Sequence, residues 1–551
     1  MLRPMLRTLL VTAAAALATG CATPPAGPLS VKVLAINDFH GNLQTPSSGL
    51  RIRDPQDASK LVTVRAGGAA HLATAVAELR AKNPNHIFVA AGDLIGATPL
   101  ISALFRDEPT VEALSMMGLE VSAVGNHEFD RGADELIRLQ RGGCHPGEGC
   151  RGPQPFAGAR FQYLAASTID EKTGRPILPP VHVKRFEGVP VAFIGLTLKD
   201  TPQIVMPAGV AGLRFADEAE TVNALVPGLR AQGIEAIVLL IHEGGLPAGD
   251  YNECPGLSGP IVEIVKKLDR AVDVVISGHT HRAYNCRLDG RLVTSADKYG
   301  TIVSEIDLTI DRRTRDVVDA KAENVIVRPE RFAKNPAIDA LVATYERLAA
   351  PLARRVVGRI AAPLAREETP AGESVVGQVV ADAQLAATAD AGAQIALMNP
   401  GGLRAALGRA GGGEVTYEEL FAVQPFYNNL VTVTLTGAQL QRALEEQWID
   451  QPRPRILQVS RGFAYQWDAS RPVGQRVVPG SVTLDGMPID AARSYRVTIN
   501  SFLASGGDNF RVFAQAGERR TGIMDIDAFE RYLARTPGLP GPGEARIRRI
   551  N

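Results

Sequence analysis

Asn37-Asp38-Phe39-His40-Gly41 follows directly on an apolar run rich in β-branched residues at 31–36. The arrangement recurs four times. Gly92-Asp93 follows 87–91, Gly125-Asn126-His127-Glu128 follows 121–124, His242-Glu243-Gly244 follows 237–241, and Gly278-His279-Thr280-His281 follows 272–276. Such runs predict buried strands, so the polar residues fall just beyond strand C-terminal ends. In an open α/β sheet those ends form the crevice that takes ligands. Five of the nine histidines lie in these motifs. Asp38, Asp93 and Asn126 supply oxygens, and His40, His242, His279 and His281 supply imidazoles, a donor set sufficient for two divalent cations. If the backbone stays extended, Asp38 and His40 share one face, as do His279 and His281.

Outward from these motifs, strands alternate with helical patterns at 69–80, 133–140, 219–232 and 261–268, which argues for α/β layering. Glu187-Gly188 between apolar runs at 181–186 and 189–196 reads as a hairpin. With further strands at 292–295 and 301–310, a mixed sheet is expected. The 551 residues exceed one ordinary domain. The stripe Ile338, Leu341, Val342, Tyr345, Leu348 and Leu352 predicts a helix over 336–352 with no strand partner, read as a connection between domains. Beyond it come strands at 394–398, 430–436, 456–466 and 494–500, and helices at 375–388 and 437–447. Thr416-Tyr417-Glu418-Glu419 fits a capping box. The expected division is 1–20 signal, 21–30 Pro-rich tether, 31–327 first domain, 328–358 linker helix and 359–551 second domain, α+β in character.

Lys+Arg and Asp+Glu balance at 59 each, so no basic field draws nucleic acid polymers. Arg3 and Arg7, a short apolar stretch and then Gly20-Cys21 make an export signal. Ala18-Thr19-Gly20-Cys21 resembles a bacterial lipobox, which implies a lipidated Cys21 and a membrane-anchored, periplasm-facing lipoprotein; an ordinary signal peptide would leave a soluble periplasmic chain. The remaining Cys144, Cys150, Cys254 and Cys286 form an even set. Local pairing of Cys144 with Cys150 is natural, and Cys254 and Cys286 could bridge neighbouring loops, but spacing leaves three pairings open. A monomer is expected.

Taken in order, Asn37-Asp38-Phe39-His40-Gly41, Gly92-Asp93, Gly125-Asn126-His127-Glu128-Phe129-Asp130 and Gly278-His279-Thr280-His281 resemble the calcineurin-like metallophosphoesterases. The His40-Gly41-Asn42 and Glu128-Phe129-Asp130 variants are similar to the 5′-nucleotidase/UDP-sugar hydrolase family. The resemblance implies one metal on Asp38, His40 and His281, another on Asn126, His242 and His279, and Asp93 bridging. The ions themselves (Zn, Mn, Co or Mg) are left open by the ligands. It further implies that hydroxide attacks phosphorus in line, with His127 as the catalytic imidazole. Asp130 either orients that imidazole or opens the helix that follows.

Three later clusters carry the resemblance into the second domain: Asn399-Pro400-Gly401-Gly402-Leu403-Arg404, Gln424-Pro425-Phe426-Tyr427-Asn428-Asn429, and Asn500-Ser501-Phe502 through Asp508. The resemblance implies that Phe426 and Phe502 sandwich a base, Asp508 accepts from the ribose hydroxyls, and Arg404 with Asn399 holds phosphate. Asn428 would touch the base edge, and Arg366 would add a phosphate contact. The implied function is an exported dimetal 5′-nucleotidase acting on nucleoside 5′-phosphates, with UDP-sugars or nucleoside di- and triphosphates as further substrates. Rotation near 336–352 would carry the nucleotide to the metals. The alternatives on the same fold are a 2′,3′-cyclic-nucleotide phosphodiesterase/3′-nucleotidase, a thiosulfohydrolase and a non-catalytic nucleotide-binding surface protein.

Overall fold

The computed structural model describes residues 27–408, 411–539 and 543–551; the expected signal and Cys21 lie outside them. The first half builds two six-stranded sheets. In chain order the strands are β1 (Leu29–Ile36), β2 (His86–Ala91), β3 (Val121–Ala123), β4 (Gln162–Leu164), β5 (Val181–Phe186), β6 (Val189–Thr197), β7 (Ala236–His242), β8 (Val274–Ser277), β9 (Ala283–Leu288), β10 (Arg291–Ala296), β11 (Ile302–Ile310) and β12 (Val317–Ile326). One sheet runs β12-β11-β1-β2-β3-β4 and the other β9-β10-β8-β7-β6-β5. Strands β1 to β4 are mutually parallel, as are β6, β7, β8 and β10. Both sheets are mixed, because antiparallel strands flank these parallel cores.

The apolar runs are nearly continuous because both faces of each sheet are covered. Along β1, Val31, Val33 and Ala35 join Phe193, Val238 and Leu240 in a core between the sheets. The alternate residues Leu34 and Ile36 face helices instead, packing with Leu72 and Val76 from α1 (Ala69–Arg80). On the far side, Ile237 and Leu239 pack with Val222 of α2 (Glu218–Ala231) and Ile261 of α3 (Pro260–Lys267). The order helix, sheet, sheet, helix follows from this period of two. Between β5 and β6, Glu187 (φ 47°) and Gly188 (φ 88°) are both left-handed, as the tight hairpin requires.

The expected linker is the helix α4 (Pro336–Ala353), but it does not stand free between domains. Its face of Ile338, Val342, Tyr345 and Ala349 is part of the first domain's core. The stripe that reads as amphipathic in sequence is buried against α1 and its neighbours. Any pivot of the second domain therefore falls beyond Ala353, whose side chain already packs with Val357 and Ile360.

The second domain has a five-stranded sheet. Its strands are β13 (Ile395–Met398), β14 (Asn429–Thr436), β15 (Gln458–Val459), β16 (Ser494–Asn500) and β17 (Gly517–Met524), in the order β15-β13-β16-β14-β17. The expected single strand over 456–466 is broken. Gly462 takes φ 82°, and the chain resumes as Phe463–Trp467 in another sheet. Thr416 makes the capping box at Tyr417–Val423. Among the described residues no helix is long and apolar enough to cross a membrane.

Cys144 pairs with Cys150 and Cys254 with Cys286, which settles the three alternatives. The second bridge closes a separation of 32 residues, for which a stabilisation of about 4 kcal/mol is expected. A Cys254→Ala/Cys286→Ala variant should unfold at a lower guanidinium concentration than the oxidised protein. Adding reductant should bring the wild type most of the way to the variant; an unchanged midpoint would remove the bridge from the stability of the fold.

Candidate active site

Five strands deliver the motif residues, three from one sheet and two from the other. β1, β2 and β3 lead to Asp38, Asp93 and Asn126, and β7 and β8 lead to His242 and His279. The expectation of extended backbone is corrected at this point. Asp38 (φ 49°), His40 (φ 45°), Asp93 (φ 50°), His279 (φ 69°) and His281 (φ 54°) all adopt left-handed conformations. For residues other than glycine this costs about 1 kcal/mol or more each. The chain leaves the β region as soon as it clears each strand, and tight turns aim the side chains inward. Backbone bonds hold the turns together, from Asp38 N to Gly92 O and from His40 N to Asp93 O, both 3.0 Å. Gly92 (φ 83°) is needed: a Cβ there would press on Gly125 N and His242 Nδ1 at 2.7 Å.

Three overlapping groups of donors result: Asp38 with His40 and His281, Asp93 with His242 and His279, and His40 with Asp93 and His127. In the first, His40 Nε2 lies 3.1 Å from His281 Nε2, and Asp38 Oδ1 lies 3.2 Å from that same nitrogen. In the second, Asp93 Oδ2 lies 2.9 Å from His242 Nε2, and Asn126 Oδ1 lies 3.0 Å from His279 Nδ1. Asp93 Oδ2 is also 3.7 Å from His40 Nε2, so this carboxylate stands between the groups. Donors sharing an ion at about 2.1 Å lie roughly 3 to 3.5 Å apart, so these edges have the size of a coordination shell. His40 Nδ1 and His242 Nδ1 each face a backbone carbonyl at 2.7 Å, of Gly96 and Ala91 respectively. Those contacts fix the tautomers and leave Nε2 free for a ligand.

The charge balance also fits cations. Asp38 and Asp93 are essentially inaccessible to solvent. Buried carboxylates of this kind require positive charge beside them. Burial opposes the charged form of His242, yet the adjoining Asp93 and Asp38 carboxylates outweigh it and push the imidazole up to about 10. His242 Nε2 nevertheless makes no hydrogen bond. An orphaned, buried nitrogen 2.9 Å from a carboxylate oxygen suits two ligands of one ion better than a hydrogen-bonded pair. Burial, with His242 alongside, pushes His279 down to about 3, keeping it a neutral donor.

Glu128 acts from below. Its carboxylate accepts from Asp93 N at 3.0 Å, Leu94 N at 2.8 Å and Gly125 N at 2.7 Å. It therefore ties the β2 turn to the β3 turn. Glu243, like Glu128, is buried, and it bonds the N–H of Gly244.

His127 sits at the rim, its side chain 14% exposed. Its Nδ1 lies 2.7 Å from Asp130 Oδ2. The following helix, Ala133–Arg141, has Gly132 at its N-cap, so Asp130 does not cap it. The other side of the imidazole meets the second domain: Phe426 stacks on it with centroids 5.9 Å apart and planes 19° apart. The Arg404 guanidinium lies 5.9 Å from the same Phe426 ring.

Of the remaining sequence-derived candidates, Asn399 bonds Asp508, itself left-handed (φ 56°) and buried, and the others bond or pack elsewhere in the second domain. Asn399 Nδ2 donates to Asp508 Oδ2 at 2.9 Å, and its Oδ1 accepts from Asn500 Nδ2 at 2.9 Å. Asn428 Oδ1 accepts from Ser501 Oγ at 3.1 Å, next to Phe502, which packs on Gly507. Arg366 Nε donates to Leu403 O at 2.6 Å. Sequence reasoning missed Arg455, whose Nη1 lies 2.5 Å from Asp508 Oδ1, and Gln451, whose Nε2 donates to Asp508 O at 2.6 Å. Their only signal is the Pro-Arg-Pro-Arg run at 452–455.

Residues 31–283 match the calcineurin-like phosphoesterase family, and residues 356–515 match the 5′-nucleotidase C-terminal domain. Endonuclease YhcR of Bacillus subtilis (strain 168) is 32% identical over 513 residues, covering 93% of this chain but 40% of that longer protein. The cell wall protein Lmo0130 of Listeria monocytogenes is 31% identical over 538 residues, covering 91% of this chain and 67% of that protein. The crystal structure of a 5′-nucleotidase precursor from Thermus thermophilus superposes with a TM-score of 0.78 at 27% identity, covering 95% of this chain and all of that one. With both domain matches in sequence and the same two-domain fold in space, the chain belongs to the 5′-nucleotidase family of metallophosphoesterases.

Proposed function

We propose that this chain is an exported dimetal 5′-nucleotidase that hydrolyses nucleoside 5′-phosphates to nucleoside and phosphate. One observation supports the reading most: Phe426 of the second domain stacks on His127 beside the His40/Asp93 donors, so the loop we assign to nucleotide binding meets the donor cluster. Asp38, His40 and His281 would hold one cation and Asn126, His242 and His279 the other, with Asp93 shared between them. The His, Asp and Asn donors accommodate Zn, Mn, Co or Mg. When bound, the cations supply an activated water at neutral pH and neutralise charge on the phosphoryl oxygens.

The chain's own groups do the rest. His127 Nδ1 is held by Asp130, so the proton available to the leaving 5′-oxygen sits on Nε2. Burial disfavours the imidazolium, but the Asp130 and Asp93 carboxylates more than compensate, and the His127 pKa is raised. Arg404 holds the phosphoryl group as the 5′-ester enters, and Phe426 and Phe502 offer faces for the base. Asp508 takes the ribose hydroxyls, and Asn399 fixes it in place. Asn428 orients the Ser501 segment before Phe502, and Arg366 adds positive charge beside Arg404.

The two disulfides are usage typical of an oxidising compartment, and one relative is named a cell wall protein. Both support export, and the Ala18-Thr19-Gly20-Cys21 motif supports lipid attachment at Cys21.

The metal-loaded Asp93→Ala protein should lose about a thousandfold or more in turnover of AMP, along with bound metal. Turnover equal to wild type would sink the mechanism. A parallel panel of 3′-AMP and cyclic and diester substrates separates phosphomonoesterase from phosphodiesterase action. Asp130→Asn tests the proton donor. Activity that needs protonated His127 falls as pH rises through its raised pKa; removing the carboxylate should move that alkaline limb down by about one pH unit. A limb that stays in place would assign Asp130 to structure alone.

A further inference from the structure

The Asp508 carboxylate is not a bare acceptor. Arg455 bonds one oxygen at 2.5 Å, and Asn399 bonds the other at 2.9 Å. A Cβ added at Gly401 would sit 3.6 Å from both Asn399 Nδ2 and Asp508 Oδ2 and 3.8 Å from Arg455 Nη1, so these groups line one wall with the Gly401 backbone. A guanidinium has five N–H donors. Among the described residues, Arg455 uses one side-chain donor, on Asp508, although its side chain is 20% exposed.

Arg453 precedes it by two residues, with Pro452 and Pro454 on either side. Each proline fixes its own φ and restricts the residue before it, so the segment presents Arg453 with little backbone freedom. The segment is anchored at Arg455 N by Gln447 O at 2.9 Å and at Leu457 N by Gln447 Oε1 at 2.6 Å. Gln451 ties its start to Asp508 O at 2.6 Å. Arg453 itself is exposed, and among the described residues its side chain makes no hydrogen bond or ion pair.

Its electrostatic surroundings explain why that matters. Although the residue is solvent-exposed, protein atoms crowded around its guanidinium lower the Arg453 pKa first, and then the like charge of Arg455; Glu368, Arg282 and Asp508 also act on it. Arg366 is lowered in the same way, by burial and then by Arg404, with Arg453 among its further neighbours. Arg404 stands at one end, beside Phe426, and Arg455 at the other, on Asp508; the segment that carries Arg453 is tied to Asp508 on both sides, through Gln451 and Arg455. Glu368 and Asp508 are acidic neighbours of Arg453, and Glu368 also neighbours Arg366. One phosphoryl group at the Arg404 end leaves the Arg453 end still in need of an anion.

We propose that Arg453 and Arg455 form a second phosphate subsite next to the ribose carboxylate Asp508, which takes a phosphoryl group esterified to the ribose 3′-oxygen. The favoured substrate is then a nucleoside 3′,5′-bisphosphate or the 5′-phosphorylated end of a short oligonucleotide, which share that chemistry. The inference rests on the 5′-nucleotidase reading and deepens it. The bond cleaved is unchanged: water displaces the 5′-oxygen from phosphorus, and the 3′-phosphate serves only for binding. Without a cation alongside, Asp508 would repel such a group; Arg455 neutralises it, and the free guanidinium of Arg453 bonds the added oxygens.

The test compares kcat/KM for 5′-phosphate release from AMP, adenosine 3′,5′-bisphosphate and the 5′-phosphorylated dinucleotide pApA, using metal-loaded wild type and Arg453→Gln. The wild type should favour a 3′-phosphorylated substrate over AMP by about tenfold, mainly through KM. Arg453→Gln should abolish that preference and change AMP hydrolysis by less than about twofold. Preference for the bisphosphate alone identifies a subsite closed beyond the phosphate, and preference for pApA as well identifies one open to the next nucleoside. AMP hydrolysis with no preference, or equal losses on all three substrates in the variant, overturns the subsite and leaves the nucleotidase reading standing. No hydrolysis of any of the three overturns both.

Discussion

The turn that carries Asp93 is the constraint on which the rest of the centre depends. Its carboxylate stands 2.9 Å from His242 Nε2 and 3.7 Å from His40 Nε2, and it accepts the N–H of His127 at 2.9 Å. It thereby links residues that follow three different strands in two different sheets. The left-handed backbone at Asp93 is unfavourable in isolation. Glu128 makes it tolerable by taking the Asp93 and Leu94 N–H groups together with that of Gly125. A carboxylate bonded to three backbone N–H groups therefore decides where another carboxylate stands. This requirement also explains why glycine occupies positions 92 and 125, where the two turns touch.

Legibility in the sequence followed the burial of each element. β1, β2 and β7 were readable because both their faces are covered, so their side chains are apolar at nearly every position. β12 was not, because its residues alternate between solvent and core and include Asp319, Lys321 and Glu323. The hairpin of Leu50–Asp54 and Asp57–Val64 escaped for the same reason, with most of its second strand exposed. α4 was recognised as a helix and read as a connection between domains, but its packing into the first domain's core was not legible: an apolar stripe announces that something covers it, not which domain does so.

The donors of the candidate site could be read as a set because residue type and strand-end position agree. Their backbone could not. Extended geometry was the natural inference from spacing, and the left-handed turns become apparent only once backbone bonds join separate loops. The second domain shows the opposite limit. Asp508 was visible within its glycine-rich turn, but Arg455 approaches it across a separation of 53 residues. No local pattern records such a contact, although the prolines on either side of Arg453 mark a segment whose shape is set in advance.

The division of the donors between two sheets has a mechanical consequence. Asp38, Asp93 and Asn126 move with one sheet, whereas His242, His279 and His281 move with the other. The layer between them is made of side chains, Val33, Val89, Phe193 and Leu240 among them, rather than of backbone hydrogen bonds. Sliding of one layer over the other would carry the two halves of the donor set apart. The stiffness of that apolar layer, set by how tightly its side chains interlock, therefore governs how precisely the spacing of the centre is kept. Residues that never approach a phosphate thus share in holding the tolerance of the site that acts on it.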